Sequence, residues 1–556
     1  MASESTFDFI VVGAGTAGCV IASRLAKTSS APRVLLLEAG EGNDGLAHMV
    51  PGQRGTFWCS DAADKLNYRY KSVPEAELGG REIQIDRGRG LGGSTAINIL
   101  GWDYSSREEM DEWARQVGDE TWSWAKTREV FKQVETLHDD TPAEFHKYIY
   151  SEPGSRGTGG PVHVSLPSTW APGLELLLSA AKEYGIPMLR DVSSGDLGLG
   201  VLSMTSYNGL RVTADSSYLS DIPPNLIIKT ESPVARILLD GKKAIGVELS
   251  SGTQYFATRE TIISAGAIDS PKILLLSGIG PQDELASHSI PVTSVLPGVG
   301  NNFKDKCMVY LKAHLQPGTV PSISMSDVAR WQQQWEEDRT GPMGVEPCRI
   351  ATGYFKLDNL ETFTEFQQLD EQAKQLLMRP RTPAYEIAPG IFADPTTGGS
   401  FFGTPVILMH PQSTGKICLR SSDPAAAPII QLNYLQNPYD RRVLVESTKK
   451  VIDFIYNSKI PAVEPIVGLT GKTDEAILQF VRNSLSTAWH PQGTVKMGKL
   501  DDDTACVGSD FRVIGVKNLR VADLSVVPVT LSNHTQASAY VIGEIAAQKL
   551  ISAYGL

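Results

Sequence analysis

The chain has 556 residues, 41% hydrophobic and 21% charged, the balance of a globular protein too long for one core, so two or more domains are expected. Its formal net charge of −12 argues against nucleic acid or an anionic membrane surface as the main partner. No run approaches the ~18 apolar residues of a membrane helix. The six scattered cysteines (Cys19, Cys59, Cys307, Cys348, Cys418, Cys506) form no C-x-x-C, so neither a structural zinc nor a redox disulfide is expected.

The first element is a short apolar run, Phe9-Ile10-Val11-Val12, of the kind that forms a buried parallel strand. It leads straight into Gly13-Ala14-Gly15-Thr16-Ala17-Gly18, a G-x-G-x-x-G. An apolar helical stretch follows, Cys19 to Leu25, then a second buried strand, Val34-Leu35-Leu36-Leu37, ending at Glu38. In this order the parts describe a dinucleotide site. Gly13 permits the tight turn, Gly15 lets a pyrophosphate approach the backbone, and Gly18 lets the helix pack on the strand. The helix N-terminus, at Thr16 and Ala17, offers free N–H groups and a positive dipole end to phosphate. Glu38 stands about 20 residues on, where an acid can bind ribose hydroxyls.

A second glycine cluster runs from Arg87 through Gly90, Gly92 and Gly93 to Ser94, Ile97 and Asn98. It lets backbone come close to a ligand, with Ser94 and Asn98 adding polar groups, though it also suits a structural loop. Ser151 to Gly160 and Leu315 to Pro321 read as linkers. Between Asn225 and Ser264 four strand-like runs, punctuated by Gly and Asp, suggest a small β-meander. Asp269-Ser270-Pro271 reads as the start of a buried helix that ends near Gly278. Glu336 to Arg339 and Glu361 to Lys374 are charged helical segments with solvated faces. Arg379 to Pro395 carries several prolines and is expected to run irregularly or along a surface.

Near the C-terminus, His490-Pro491-Gln492-Gly493-Thr494 sets a histidine in a rigid turn, and Asp523 and Asn533-His534-Thr535-Gln536 follow. Histidine suits general base work near neutral pH. A histidine in a turn also serves structural roles, and the pattern alone does not pair His490 with His534. Alternating strand and helix elsewhere gives an α/β class. No second strand-linked G-x-G-x-x-G occurs, so one dinucleotide site serves the whole protein. That favours a flavin reduced directly by its substrate.

These blocks, in this order over nearly the whole chain, resemble the glucose–methanol–choline (GMC) oxidoreductases. Gly90 to Asn98 resembles the family's first motif. Gly266 to Gly280 resembles its second, with Asp269 in place of the usual Asn. Pro411 to Asp423, Asn433-Tyr434-Leu435 and Asp440 resemble its C-terminal domain, and His490 to Thr494 its active-site motif. The resemblance implies an FAD-binding, Rossmann-like domain built from residues 1–150, 200–305 and 486–556. Residues 151–199 and 306–485 would form a substrate domain on an antiparallel sheet covered by helices. Gly13, Gly15, Thr16, Ala17, Gly18 and Glu38 would hold the ADP part of FAD, with Val234 near the adenine. Gly92, Gly93, Ser94 and Asn98 would approach the pyrophosphate and isoalloxazine, and Asp523 and the Thr535-Gln536 backbone would close on the flavin. His490 matches the catalytic histidine and His534 the second catalytic position.

Three departures carry information. Ile97 stands where some members attach FAD through a histidine, which implies noncovalent FAD. Lys306 follows Asp305 where the family often has Asp-His. Parts of the chain resemble the intracellular formate oxidase branch, related to the aryl-alcohol oxidase-like enzymes. That branch places an arginine at the second catalytic position, so His534 argues for a neutral alcohol instead. The implied reaction is oxidation of a CH–OH group, with His490 taking the hydroxyl proton, hydride passing to flavin N5, and oxygen or another acceptor reoxidising the flavin. A histidine of ordinary pKa, ~6.5, would make the rate fall at acid pH. The alternatives are a lyase or cyclase on the same fold with structural FAD, and a binding protein that has lost catalysis. Met1 to Thr6 is short and polar for a signal peptide, and the final residues are no peroxisomal address, so an intracellular, cytoplasmic location with no membrane partner is expected.

Overall fold

The computed structural model describes residues 5–42, 45, 47–53, 61–344, 350–395, 397–463 and 465–556; Cys59 and Cys348 lie outside them. The N-terminal run forms the strand Thr6–Val12, and Val34–Leu37 pairs beside it in parallel, with Ile10 opposite Leu35. Both are continuous apolar runs because helices cover both faces of a parallel sheet. Gln254–Ile263 lies on the other side of Thr6–Val12, and Leu519–Val521 extends the sheet in parallel from there. The helices Thr16–Ala26 and Gln536–Tyr554 pack together, so closely that a Cβ on Gly543 would stand 3.0 Å from the Ala17 carbonyl oxygen.

The stretch from Asn225 to Ser264 is a meander only in its last three strands. Val234–Asp240, Lys243–Leu249 and Gln254–Ile263 are antiparallel neighbours. Leu226–Lys229 instead joins the far edge of the parallel sheet beside Val34–Leu37. Its alternation is too short to say which neighbour a strand takes.

A second, antiparallel sheet is built on Cys307–Leu315 and Ser400–Leu408, which pair along their length. Tyr385–Ile387, Ala351–Phe355 and Gly198–Val201 continue it outward. The helices Pro172–Tyr184 and Pro438–Asn457 share its core. Tyr70, Leu78, Ile83 and Ile85 pack into this second core, while Val162 and Val164 belong to the first. Arg379 to Pro395 is not irregular surface. It holds the buried strands Tyr385–Ile387 and Gly390–Ala393, because its prolines flank the strands at 383, 389 and 395 and leave their N–H groups free to pair. No helix of the described residues is long and apolar enough to cross a membrane.

Candidate active site

A cavity of about 680 Å³ opens along the parallel sheet's C-terminal edge. Gly13, Gly15, Thr16, Ala17, Glu38, Gly93, Ser94, Val234 and Asp523 all line it. Gly15 has open space where a Cβ would stand, as a backbone approached by a ligand requires. Gly18 and Gly92 lie behind the wall. A side chain at Gly18 would collide with the Gly13 carbonyl, and Gly92 donates its N–H to Ala14 O at 2.9 Å. A Cβ on Gly93 would sit 2.7 Å from the Gly15 Cα, so the two glycine turns are in backbone contact.

Glu38 does more than face the cavity. Its carboxylate accepts the N–H groups of Ala14, Gly40 and Gly90, each at 2.9 Å, tying both glycine turns to the end of the second strand. Three of its roughly four acceptor sites are thereby used, leaving one for a ligand. Asp523 is similarly engaged: Oδ2 accepts from Gly266 N–H and the Ser270 hydroxyl, and Oδ1 from Ser525 N–H. These bonds explain why the helix spans Gly266–Leu276 and starts three residues before the expected Asp269. Pro271 therefore falls inside it, where a proline costs about 3 kcal/mol. The Ala267 carbonyl that loses its helical partner instead accepts the Thr494 hydroxyl at 2.7 Å. That bond anchors the His490 turn to this helix. Asp269 takes the Tyr70 hydroxyl on both carboxylate oxygens, at 3.0 and 2.8 Å.

Thr16, Arg87, Ser94, Leu524 and Ala539 line both this cavity and a second one of about 340 Å³. Asn98, Thr535, Gln536, His490 and His534 line the second cavity, as does Ile97. Asn98 donates to Gln536 Oε1 at 2.9 Å and accepts from Leu100 N–H and Arg211. The N-terminus of the helix Gln536–Tyr554 faces the space. Most of the remaining wall is apolar or aromatic, including Ile99, Met308, Tyr310, Phe392, Ile407 and Trp489. The adjoining cavities, which share five lining residues, the open cradle at Gly15 and the helix termini fit an extended dinucleotide.

The two histidines meet there, ring centroids 5.3 Å apart and nearly perpendicular at 82°. His490 follows Trp489, which is held at φ +59°, and precedes Pro491, which restricts it to extended backbone. Its N–H donates to Asp305 Oδ1 at 2.8 Å, and its buried Nδ1 has no hydrogen-bond partner. His534 is held at three points. Its N–H donates to Asp103 Oδ1 at 3.0 Å, its Nε2 lies 2.9 Å from Glu386 Oε1, and Tyr354 locks the other oxygen of Asp103 at 2.6 Å.

Their environments push them apart. Burial first, then the cations of Lys306, His534 and Arg87, hold His490 well below the ordinary histidine pKa. Burial works against the charged form of His534 too, but Glu386 and then Asp103 outweigh it, and its pKa is raised. Burial pushes Asp103 up to about 6, against the pull of His534. The site therefore sets an imidazole held toward its neutral form beside one held toward its charged form. Pairs split by environment in this way mark acid and base roles. Glu386 and Asp103 carry no motif. Glu386 sits between prolines in a stretch that reads as irregular, and Asp103 follows a two-residue strand, Gly101–Trp102. Among the described residues no group of three or more His, Cys, Asp or Glu side chains is placed to hold a metal ion.

Family models described as GMC oxidoreductase match residues 7–308 and 411–543. The mitochondrial choline dehydrogenase of Mus musculus is 32% identical over 576 residues, covering 98% of this chain and 89% of its own. A crystal structure of formate oxidase is similar with a TM-score of 0.86 at 28% identity, covering 99% of both chains. A fungal aryl-alcohol oxidase is similar with a TM-score of 0.87 at 25% identity, covering 100% of both.

Proposed function

Because the chain belongs to the GMC oxidoreductase family and is an FAD-dependent oxidoreductase acting on a small molecule, we propose that it oxidises the CH–OH group of an uncharged, largely apolar alcohol to an aldehyde or ketone. The observation that carries this reading is the pair of histidines with opposed proton affinities on one apolar wall. His490, neutral and buried, accepts the hydroxyl proton. His534, whose charged form Glu386 favours, gives its remaining N–H to the same oxygen and orients it. Together they favour alkoxide character on the alcohol. Bound FAD supplies the hydride acceptor, and a separate electron acceptor, oxygen or another, takes the electrons onward.

Gly13, Gly15, Thr16 and Ala17 would hold the pyrophosphate with Ser94. Glu38 would hold the ribose and Val234 the adenine. Gly92 and Gly93 keep the two glycine turns close and Gly18 lets the helix start against the Gly13 carbonyl, while Asn98, Asp523, Thr535 and Gln536 would enclose the ring system. Ile97 offers no atom for a covalent bond, so we read the FAD as noncovalent, released to the supernatant by acid precipitation.

The cavity volume suits a mid-sized molecule. Asp86 is the carboxylate on its wall, and its Oδ1 already accepts from the amides of Asn67 and Gln84. The cations near His490 disfavour a quaternary ammonium such as choline. The matching relatives are oxidoreductases, which does not favour the lyase alternative. Anaerobic mixing of the FAD-loaded enzyme with an arylmethanol, choline or formate tests the reading by bleaching of the flavin. Bleaching by the arylmethanol alone is expected. Bleaching by formate or choline and not by the arylmethanol would contradict it.

A further inference from the structure

Lys306, the residue where the family often has histidine, is fully buried at the entry to the strand Cys307–Leu315. It and Asp305 touch both histidine loops. Asp305 takes the His490 N–H on Oδ1, and on Oδ2 the hydroxyls of Thr487 at 2.5 Å and Tyr434 at 2.7 Å. The Lys306 carbonyl accepts the Ala488 N–H at 2.8 Å, two residues before His490. Its Nζ donates to the Asn533 carbonyl at 2.7 Å. The N–H of that same peptide unit belongs to His534 and donates to Asp103. A cation and a carboxylate therefore grip the peptide bond before His534 from its two sides. The Asn533 side chain closes the loop through Ser105, Ser538 and the Asp103 carbonyl.

A lysine is rarely buried without a paired carboxylate. Among the described residues Lys306 makes that one hydrogen bond and no ion pair. Burial lowers its pKa, and four carboxylates pull the other way in favour of its charge: Glu386 on Tyr385–Ile387, Asp103 after Gly101–Trp102, Glu109 on the helix Arg107–Val117, and Asp305 beside it. The other charged groups facing His490 are His534 and Arg87.

We propose that Lys306 is a positioning residue of the histidine pair: it fixes the backbone that carries His534, and its buried positive charge opposes a second positive charge on His490. This rests on the reading of His490 as the base. The two effects separate by substitution. Lys306→Met removes donor and charge together. Lys306→Gln removes the charge and retains an N–H donor.

In FAD-loaded enzyme, two quantities are measured against pH: the anaerobic rate of flavin reduction by alcohol, and the visible spectrum of the bound flavin without alcohol. Both variants are expected to move the acid limb and the spectral transition upward by about one pH unit, a tenfold change in the protonation equilibrium. The Met variant is expected to lose more of the plateau rate than the Gln variant, because it leaves the Asn533 carbonyl without a donor. A wild-type acid limb in either variant would overturn the proposal, even if rate or stability fell. If the Met variant fails to fold or to hold FAD, the Gln variant and its spectral titration decide. His490→Ala in parallel separates the two readings. A wild-type rate there removes the base itself, whereas a slow His490→Ala beside an unshifted Lys306→Gln removes only the role of Lys306.

Discussion

The two histidine loops carry the same side chain to the same cavity and give it opposite chemistry. The His490 loop reaches its surroundings through backbone: its N–H is on Asp305, its Nδ1 is unpartnered, and the charges that shift its ring's pKa are cations. The His534 loop is bound through its ring as well as its backbone, and faces carboxylates, Glu386 first and Asp103 behind it. The opposed proton affinities of the two rings are set by the neighbouring segments. Each segment comes from elsewhere in the chain, so exchanging a neighbour should change a role without touching either imidazole.

The largest effect should come from the acceptor. His490→Ala is expected to slow anaerobic flavin reduction by about 10²–10⁴-fold, the usual contribution of general base catalysis, with FAD content unchanged. Stopped-flow absorbance at the flavin band reads this directly. On the donor side the loss should be smaller. His534→Ala removes one charged hydrogen bond to the developing alkoxide, about a 10–100-fold effect. His534→Asn keeps a donor and should rank between wild type and Ala. Equal wild-type rates in both would make His534 a bystander, and loss of FAD from both would make it a packing residue. Smaller still is Glu386→Gln, which leaves both imidazoles in place. Without the carboxylate the imidazolium is less stable, so the alkaline limb of the rate should fall by about one pH unit, measured as rate against pH.

Much of the fold was legible because its signals are local. Strand, glycines, helix, strand and acid lie within the first 40 residues, and backbone geometry alone explains each glycine. The family resemblance then supplied what spacing could not, the partnership of His490 and His534. What stayed hidden depends on contacts between distant segments. Glu386 is separated from His534 by 148 positions and lies among prolines that mask its strand. Lys306 stood out as an oddity, but its meaning needs the Asn533 carbonyl, 227 positions away. Pro271 suggested a helix start because the hydroxyl that satisfies Ala267 belongs to Thr494. Glu38 was read as a ribose ligand, and its three backbone bonds became visible only when both glycine turns were brought to it.

The pH dependence of the anaerobic reductive half-reaction tests the central claim most directly, since it asks whether the two histidines hold different charges. His490 must be unprotonated to accept, so the rate should rise as pH climbs through its lowered pKa. His534 must be protonated to donate, so the rate should fall as pH passes its raised pKa. The expected result is a bell with its acid limb below the ordinary histidine value of about 6.5 and its alkaline limb above it. A single limb centred near 6.5, as from two unperturbed imidazoles, would contradict it.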